Sequence, residues 1–346
     1  MRVELLSAAD EPLWEAFVSA HRELPVYYTL AYRKLLLGVV DGAAEYRVAV
    51  TADGSVAGIL PLFARNGPFG EVVNSLPFYG SHGGIVADGT EARAALLEAY
   101  HDRIGEPQVV TATVVGNPFA AEDGLAGLRS DVSDRRIAQY TPLDVPGAHD
   151  DPDDGLMASY HQKTRNLVRK GARQGFTVEV ENDAWQLLRR LHEQTMTAVG
   201  RTPKPASFYG AVATALPPGT GYRIYVARER GEPVAALLNL YHGDFVEYFM
   251  PVIVNEHRER QPLSLIVFRA MADAARDGYR VWNWGGTWPT QDGLYQFKRR
   301  WGTLEKEYRY AIAVNDPAVM QRTPAELTEG YPLYFAYPYH LLAATA

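Results

Sequence analysis

The stretch Trp282-Asn-Trp-Gly-Gly-Thr-Trp-Pro-Thr-Gln-Asp-Gly-Leu-Tyr-Gln-Phe-Lys-Arg-Arg-Trp-Gly302 decides how the chain is read. Its aromatic opening reads as a strand that ends in Gly285-Gly286. A polar loop follows, and then Phe297 and Lys298 lead into a cluster of three cations, Lys298, Arg299 and Arg300. Glycine lets backbone approach a ligand closely, and a fixed cation beside an aromatic wall suits a reaction that develops negative charge. The pattern points to group transfer rather than to packing alone.

Upstream, two segments share one plan. Tyr46 to Leu62 and Tyr222 to Leu240 each read as strand, tight turn and strand, with the turns at Gly54 and Gly231. The first is followed by the loop Gly80-Ser-His-Gly-Gly84 and a helix from Thr90 to Ile104. The second is followed by a strand from Phe245 to Val254, a loop from Asn255 to Pro262 and a helix from Leu263 to Arg276. Gly105 and Gly278 stand where helix C-caps belong. One α/β (α+β) unit used twice explains the order of parts. Further helices are expected at Glu11 to His21, Thr29 to Leu37 and Trp185 to Val199. The acidic, turn-rich run from Gly147 to Gly155 reads as the linker. The domains are therefore expected at 1–150 and 151–311. The aromatic tail 312–346, with Tyr331, Tyr334 and Phe335, is expected to pack back on the first.

Bulk properties narrow the function. The chain has 346 residues, 47% of them hydrophobic, a net charge of −7 and no cysteine. The length favours two domains. The acidic balance excludes a global nucleic-acid footprint but leaves room for a local basic patch. Without cysteine there is no disulfide framework, no cysteine nucleophile and no thiolate metal site. The start, Met1 to Leu6, lacks the apolar core of a secretory leader, and no apolar run approaches a membrane span, about 20 residues. A cytoplasmic monomer is expected. The nine histidines are dispersed with no H-E-x-x-H, and no Gly-x-Ser-x-Gly elbow occurs, so no metal site is expected.

The chain resembles the FemABX-like aminoacyltransferases of the Gcn5-related N-acyltransferase (GNAT) superfamily. The resemblance rests on Ser159 to Val178, on Tyr222 to Gly278, and most specifically on Gly-Leu-Tyr-x-Phe-Lys-x-x-Trp-Gly, residues 293–302. The first half matches more loosely, through Asn74 to Gly84. The resemblance implies two tandem GNAT-like domains with a substrate channel between them. It implies transfer of an aminoacyl group from a charged tRNA, as donor co-substrate with no other cofactor, to the amine of a peptide or small-metabolite acceptor. Relatives act on peptidoglycan precursors or in antibiotic pathways.

Lys298 is the first candidate catalytic residue, placed to stabilise the oxyanion formed when an amine attacks an ester; one such donor is typically worth roughly 3 kcal/mol. By resemblance, Phe297 flanks the incoming aminoacyl group. The helix from Ser159 to Gln174 carries Lys163, Arg165, Arg169, Lys170 and Arg173 without an acid. Arg165, Arg169 and Arg173 recur at i, i+4 and i+8, on one face, where like charges repel unless an anion joins them. The anion is a phosphate from tRNA or from a nucleotide-linked acceptor; alternatively the face is simply solvated opposite the acidic linker. Tyr79, Ser81 and His82 are candidates for the acceptor pocket, with His82 as general base. Arg201 and Lys204 lie in a cationic loop that could close over the site, Trp284 and Trp288 could wall a peptide, and Arg299 could hold substrate.

Two other readings remain open. The first is an acyl-CoA-dependent GNAT N-acyltransferase. That class carries glycines where a loop enters the helix that binds pyrophosphate, whereas Arg258 to Ser264 has none and includes Pro262, which lacks an amide donor. The second is a non-catalytic, ligand-binding double-GNAT module.

Overall fold

The computed structural model describes residues 1–78, 82–120, 124–145, 152–198, 200–288 and 290–342. In chain order the elements are β1 (Arg2–Leu5), α1 (Glu11–Ala20), α2 (Leu30–Leu37), β2 (Ala43–Ala44), β3 (Arg47–Val50), β4 (Val56–Leu60), β5 (Phe63–Gly67), β6 (Gly70–Asn74), β7 (Val86–Ala87), α3 (Thr90–Ile104) and β8 (Val109–Val115). Then come β9 (Val132–Pro142), α4 (Pro152–Ser159), α5 (Gln162–Ala172), β10 (Thr177–Val180), α6 (Trp185–Ala198), α7 (Ala206–Ala215), β11 (Tyr222–Glu229), β12 (Glu232–His242) and β13 (Phe245–Ile253). The last are α8 (Pro262–Arg276), β14 (Val281–Thr287), α9 (Asp292–Arg299), β15 (Leu304–Val314) and α10 (Pro324–Gly330). The chain forms two compact units: Met1–Arg136 with Glu307–Ala346, and Ile137–Lys306. It passes between them within β9 and β15, so the division falls inside strands rather than in the acidic run.

In the first unit β1, β3, β4 and β7 form an antiparallel sheet. A second ladder joins β15, β8, β6, β5 and β2. Leu60 and Val73 from the strands, and Leu62 from the β4–β5 connection, meet Leu96 and Tyr100 of α3 in one apolar core. The C-terminal segment is held by specific bonds. Asn74 exchanges two hydrogen bonds with the backbone of Phe335, Tyr331 Oη donates to Gly70 O at 3.0 Å, and Tyr334 Oη donates to Asp41 O at 2.9 Å.

In the second unit β10, β11, β12 and β13 run antiparallel, β13 pairs β14 in parallel, and β14 pairs β9 antiparallel. The β11–β12 turn places Arg230 at φ 50° and Gly231 at φ 87°, the two positive values that a two-residue hairpin turn requires. Helix α8 buries Ile266, Val267, Ala270 and Met271 against this sheet. Helix α5 lies on α8 so closely that a Cβ at Gly171 would come 2.7 Å from Gln261 O.

Some expectations shift. The basic helix is α5 alone: Ser159 closes α4, and His161 caps α5 by accepting from Lys163 N at 3.1 Å. The expected linker ends early, because Pro152 to Gly155 begin α4; residues 147–151 lie outside the described residues. Gly278, at φ 86°, is a left-handed cap, but Gly105 is not, at φ −77°. The loop after β13 contains a 3-10 turn over Asn255–Arg260.

Candidate active site

The parallel ladder between β13 and β14 has only three rungs, from Phe245 opposite Val281 to Glu247 opposite Asn283, while both strands continue. At the last rung sit two fully buried polar side chains. Asn283 Nδ2 donates to Glu247 Oε2 at 2.8 Å, and Asn283 Oδ1 accepts from Gly285 N at 2.9 Å. Past this point β14 bulges against β9, and Gly285 takes φ 72°. That value is favourable only for glycine, so the sequence itself prescribes the irregularity.

Helix α9 brings Lys298 to the bulge. Its Nζ donates to Gly285 O and Gly286 O, both at 3.2 Å, and to Thr287 Oγ1 at 2.8 Å. Thr287 in turn donates to Gln139 Oε1 at 3.4 Å, and Gln139 Nε2 reaches Tyr295 O at 3.2 Å. Lys298 is 3% exposed and forms no ion pair among the described residues. Burial without a compensating carboxylate lowers its pKa from 10.5 to about 7. Both protonation states fit the cage. The ammonium uses three N–H groups on three acceptors; the neutral amine keeps two on the carbonyls and accepts from the Thr287 hydroxyl.

Expectation and structure differ here. The ammonium was expected to face a ligand, but it is turned inward, with every donor engaged by its own chain. Phe297, half-buried, packs edge-on against Trp284 at 5.9 Å. Trp284 is a core residue rather than a substrate wall. It is 3% exposed, its Nε1 donates to Thr141 Oγ1 at 2.9 Å, and Tyr248, Trp282 and Trp301 surround it. Trp288, by contrast, is 41% exposed. Arg299 is exposed on the same helix as Lys298 but takes no part in the cage.

The cationic loop splits in two. Arg201 is exposed. Lys204 brings its amine over the stacked rings of Phe208 and Phe249, at 5.2 and 5.1 Å from their centroids. Burial there lowers its pKa to about 7. Its backbone N–H donates to His192 Nε2 at 3.2 Å, and burial lowers the His192 ring to about 4.

On α5, Arg165 leaves the expected row, because its Nη1 donates to Tyr160 O. Asn166, Arg169, Lys170, Arg173 and Gln174 instead line one open pocket of about 410 Å³.

In the first unit His82 is wholly buried among the rings of Tyr27, Phe119 and Tyr308. Its Nδ1 donates to Gly116 O at 3.1 Å, and burial lowers its pKa to about 4. A sealed imidazole this weakly basic does not suit the general-base role expected of it. Tyr79 and Ser81 lie outside the described residues.

The sequence reading missed Glu247, Asn283, Thr287 and Gln139. For Glu247, Asn283 and Thr287 the signal was available, since each is polar in a largely apolar strand, where a buried polar group must find a partner. Gln139 sits in a strand with several other polar residues and carries no such signal. Among the described residues no group of three or more histidine, aspartate or glutamate side chains could hold a metal ion, and no helix is long and apolar enough to cross a membrane.

Comparison with known proteins gives the class. Residues 158–299 match the family described as acetyltransferase (GNAT) domain. FemX is similar in structure over 89% of this chain and 97% of its own, with a TM-score of 0.70 and 16% identity. A tandem GNAT protein from the clavulanic acid biosynthesis pathway covers 91% of this chain and 99% of its own (TM-score 0.53, 16% identity). L-PGS from Bacillus licheniformis covers 83% and 92% (TM-score 0.52, 11% identity). No curated protein matches the chain in sequence. The chain is an acyltransferase with a GNAT domain at residues 158–299, in the second unit, and its α/β fold is similar to that of FemX.

Proposed function

We propose that the chain moves an aminoacyl group from a charged tRNA to the amine of a peptide or peptide-like acceptor, a natural-product or peptidoglycan precursor. The amine nitrogen attacks the ester carbonyl, an amide C–N bond forms, the C–O bond to the ribose breaks, and the tRNA leaves with its hydroxyl. The acceptor nitrogen releases one proton. No covalent enzyme intermediate is needed, because the ester is already activated and positioning supplies much of the acceleration. Lys298 stabilises the developing oxyanion by exchanging one glycine carbonyl for the substrate oxygen, with Phe297 beside it. A cytoplasmic monomer is part of this reading.

One observation carries the choice of donor: the entrance to α8 is unsuited to a pyrophosphate. Gln261 sits at φ 66° and leads into Pro262, the first helical residue, which has no N–H. Ser264 Oγ is engaged with Gln261 Oε1 at 2.9 Å, and Gln261 O is covered by Gly171. A helix start that cradles phosphate needs free amides. The Phe297-Lys298 motif and the FemX-like fold support the same reading.

The test incubates the protein with a mixed charged-tRNA pool and candidate amines, with and without ribonuclease. Ribonuclease-sensitive amide formation is the expected result; insensitive formation rules out the tRNA donor. The acetyltransferase family match favours the acyl-CoA alternative, so acetyl-CoA is added in a parallel thermal melt. Saturable stabilisation there would replace tRNA by CoA as the donor.

A further inference from the structure

The proposed function leaves open where the nucleic-acid body of the donor is held. The strongest uncommitted feature of the molecule is the outer face of α5. Asn166, Arg169 and Lys170 fall at i, i+3 and i+4 on one face of α5, the C-cap Arg173 and the next residue Gln174 extend it past Ala172, and together the five line the open pocket. Among the described residues Arg169, Lys170 and Arg173 form no ion pair and no side-chain hydrogen bond, and Lys163, a turn and a half upstream, is equally unengaged. The acid held next to this face does not neutralise them: Glu229 is paired with Arg260, whose Nε donates to Gln174 Oε1 at 3.0 Å. Three cations within about two turns repel one another, on a chain whose net charge is negative. The arrangement is stable at little cost only because water, or a polyanion, screens it.

We infer that this face of α5 binds the phosphodiester backbone of a single-stranded RNA segment, namely the acceptor end of the donor; the inference rests on the tRNA-dependent reading above. Length favours a strand over a lone pyrophosphate. From Lys163 to Ala172 the helix rises about 13 Å, with Arg173 at its C-cap, a row suited to successive phosphates. The pocket is open along its length and all its lining side chains are polar or cationic, as backbone recognition without base readout requires. The two arginines offer forked donors that match phosphate oxygens, and Asn166 adds a neutral hydrogen-bonding group, while Gln174 Oε1 is held by Arg260 Nε at 3.0 Å.

The test is fluorescence anisotropy of a labelled single-stranded RNA ending in CCA, titrated at several salt concentrations with the full chain. Its variants are Arg169→Ala with Arg173→Ala, and Arg169→Lys with Arg173→Lys. All these side chains are exposed and unpaired, so thermal melts of the variants should overlay the parent. The parent should bind with a log K against log salt slope that flattens by about 1.4 in the double alanine variant, roughly 0.7 for each phosphate that is no longer neutralised. The lysine variant should restore most of the slope. Equal slopes in parent and alanine variant overturn the inference. So does RNA that fails to bind while pyrophosphate or coenzyme A binds through the same two arginines, since the phosphate would then come from a small nucleotide. The two proposals fail separately. Ribonuclease-sensitive transfer whose KM for tRNA ignores the double variant sinks the RNA face alone. RNA binding through Arg169 and Arg173 without any transfer sinks the aminoacyltransferase reading alone.

Discussion

Replacing Lys298 with Met should change how stability depends on pH. In the folded chain Lys298 titrates at about 7, against 10.5 for an ordinary lysine. Between those values the unfolded chain holds a proton that the folded chain has released. Raising the pH through this window therefore favours folding; below about pH 7 both states are protonated and the full cost of burying the charge is present. At 1.36 kcal/mol per pH unit, the whole window is worth roughly 5 kcal/mol, and the span from pH 7 to pH 9 roughly 2–3 kcal/mol. Methionine keeps the length of the side chain but cannot titrate. It also leaves Gly285 O, Gly286 O and Thr287 Oγ1 without their donor, at about 1–3 kcal/mol for each acceptor left buried and unsatisfied. That penalty sets the offset between the two proteins, not the slope. Lys204 titrates in both and cancels. Urea unfolding followed by tryptophan fluorescence, with Trp282, Trp284 and Trp301 in the reporting core, should show the parent gaining on the variant by that amount between pH 7 and 9. Stability curves that remain parallel across this range would mean that Lys298 keeps an ordinary ammonium, and the account of its cage would be wrong.

Three more outcomes follow from the same structure. Burial of His82 at about pKa 4, against the usual 6.5, means that acidification through that window protonates the unfolded chain first. The first unit should thus lose roughly 3 kcal/mol between pH 6.5 and 4, and His82→Gln should blunt that loss in acid denaturation. Gly171→Ala drives a Cβ to 2.7 Å from the backbone oxygen of Gln261, so α5 must move off α8; a cost of about 1–3 kcal/mol should appear as a lower melting temperature. Thr287→Val removes the hydroxyl that lets the Lys298 cage accept either protonation state. The variant should hold a still less basic lysine and transfer more slowly, measured as a pH–rate profile displaced to lower pH.

Much of the fold was legible because its signals are local. The hairpin at Gly231 declares itself through the turn, and α3 and α8 through helical stretches that run up to Gly105 and Gly278; α2 starts at Leu30, where Thr29 caps it by accepting from Tyr32 N. The acidic run misled because charge and proline describe both a linker and the first turn of a helix. Pro152, Asp153 and Asp154 do the second, where proline loses no bond and acids meet the positive end of the helix. Where the chain passes from one unit to the other was not legible. Strands β9 and β15 each run through the division, and a strand shared in this way has no composition of its own.

The site was legible in its motif and opaque in its geometry. Phe297 and Lys298 were found because their spacing past a double glycine is unusual, yet nothing in that spacing says whether the amine looks outward or inward. Orientation depends on which acceptors lie at the end of the side chain. Those are Gly285 O and Gly286 O, freed by a bulge that only the pairing with β9 creates, and Thr287 Oγ1, oriented by Gln139 from β9 itself. A residue more than a hundred positions away therefore helps set the charge state of the lysine. The consequence is chemical. An exposed lysine would be a permanent cation at neutral pH. This one exchanges a proton near pH 7 and does so by turning one hydroxyl, so the group that meets an oxyanion can also lose its charge when the acyl group has moved on. Oxyanion stabilisation by Lys298 thus requires its protonated form, and the transfer rate should fall as pH rises through 7, opposite to the gain in stability over the same range.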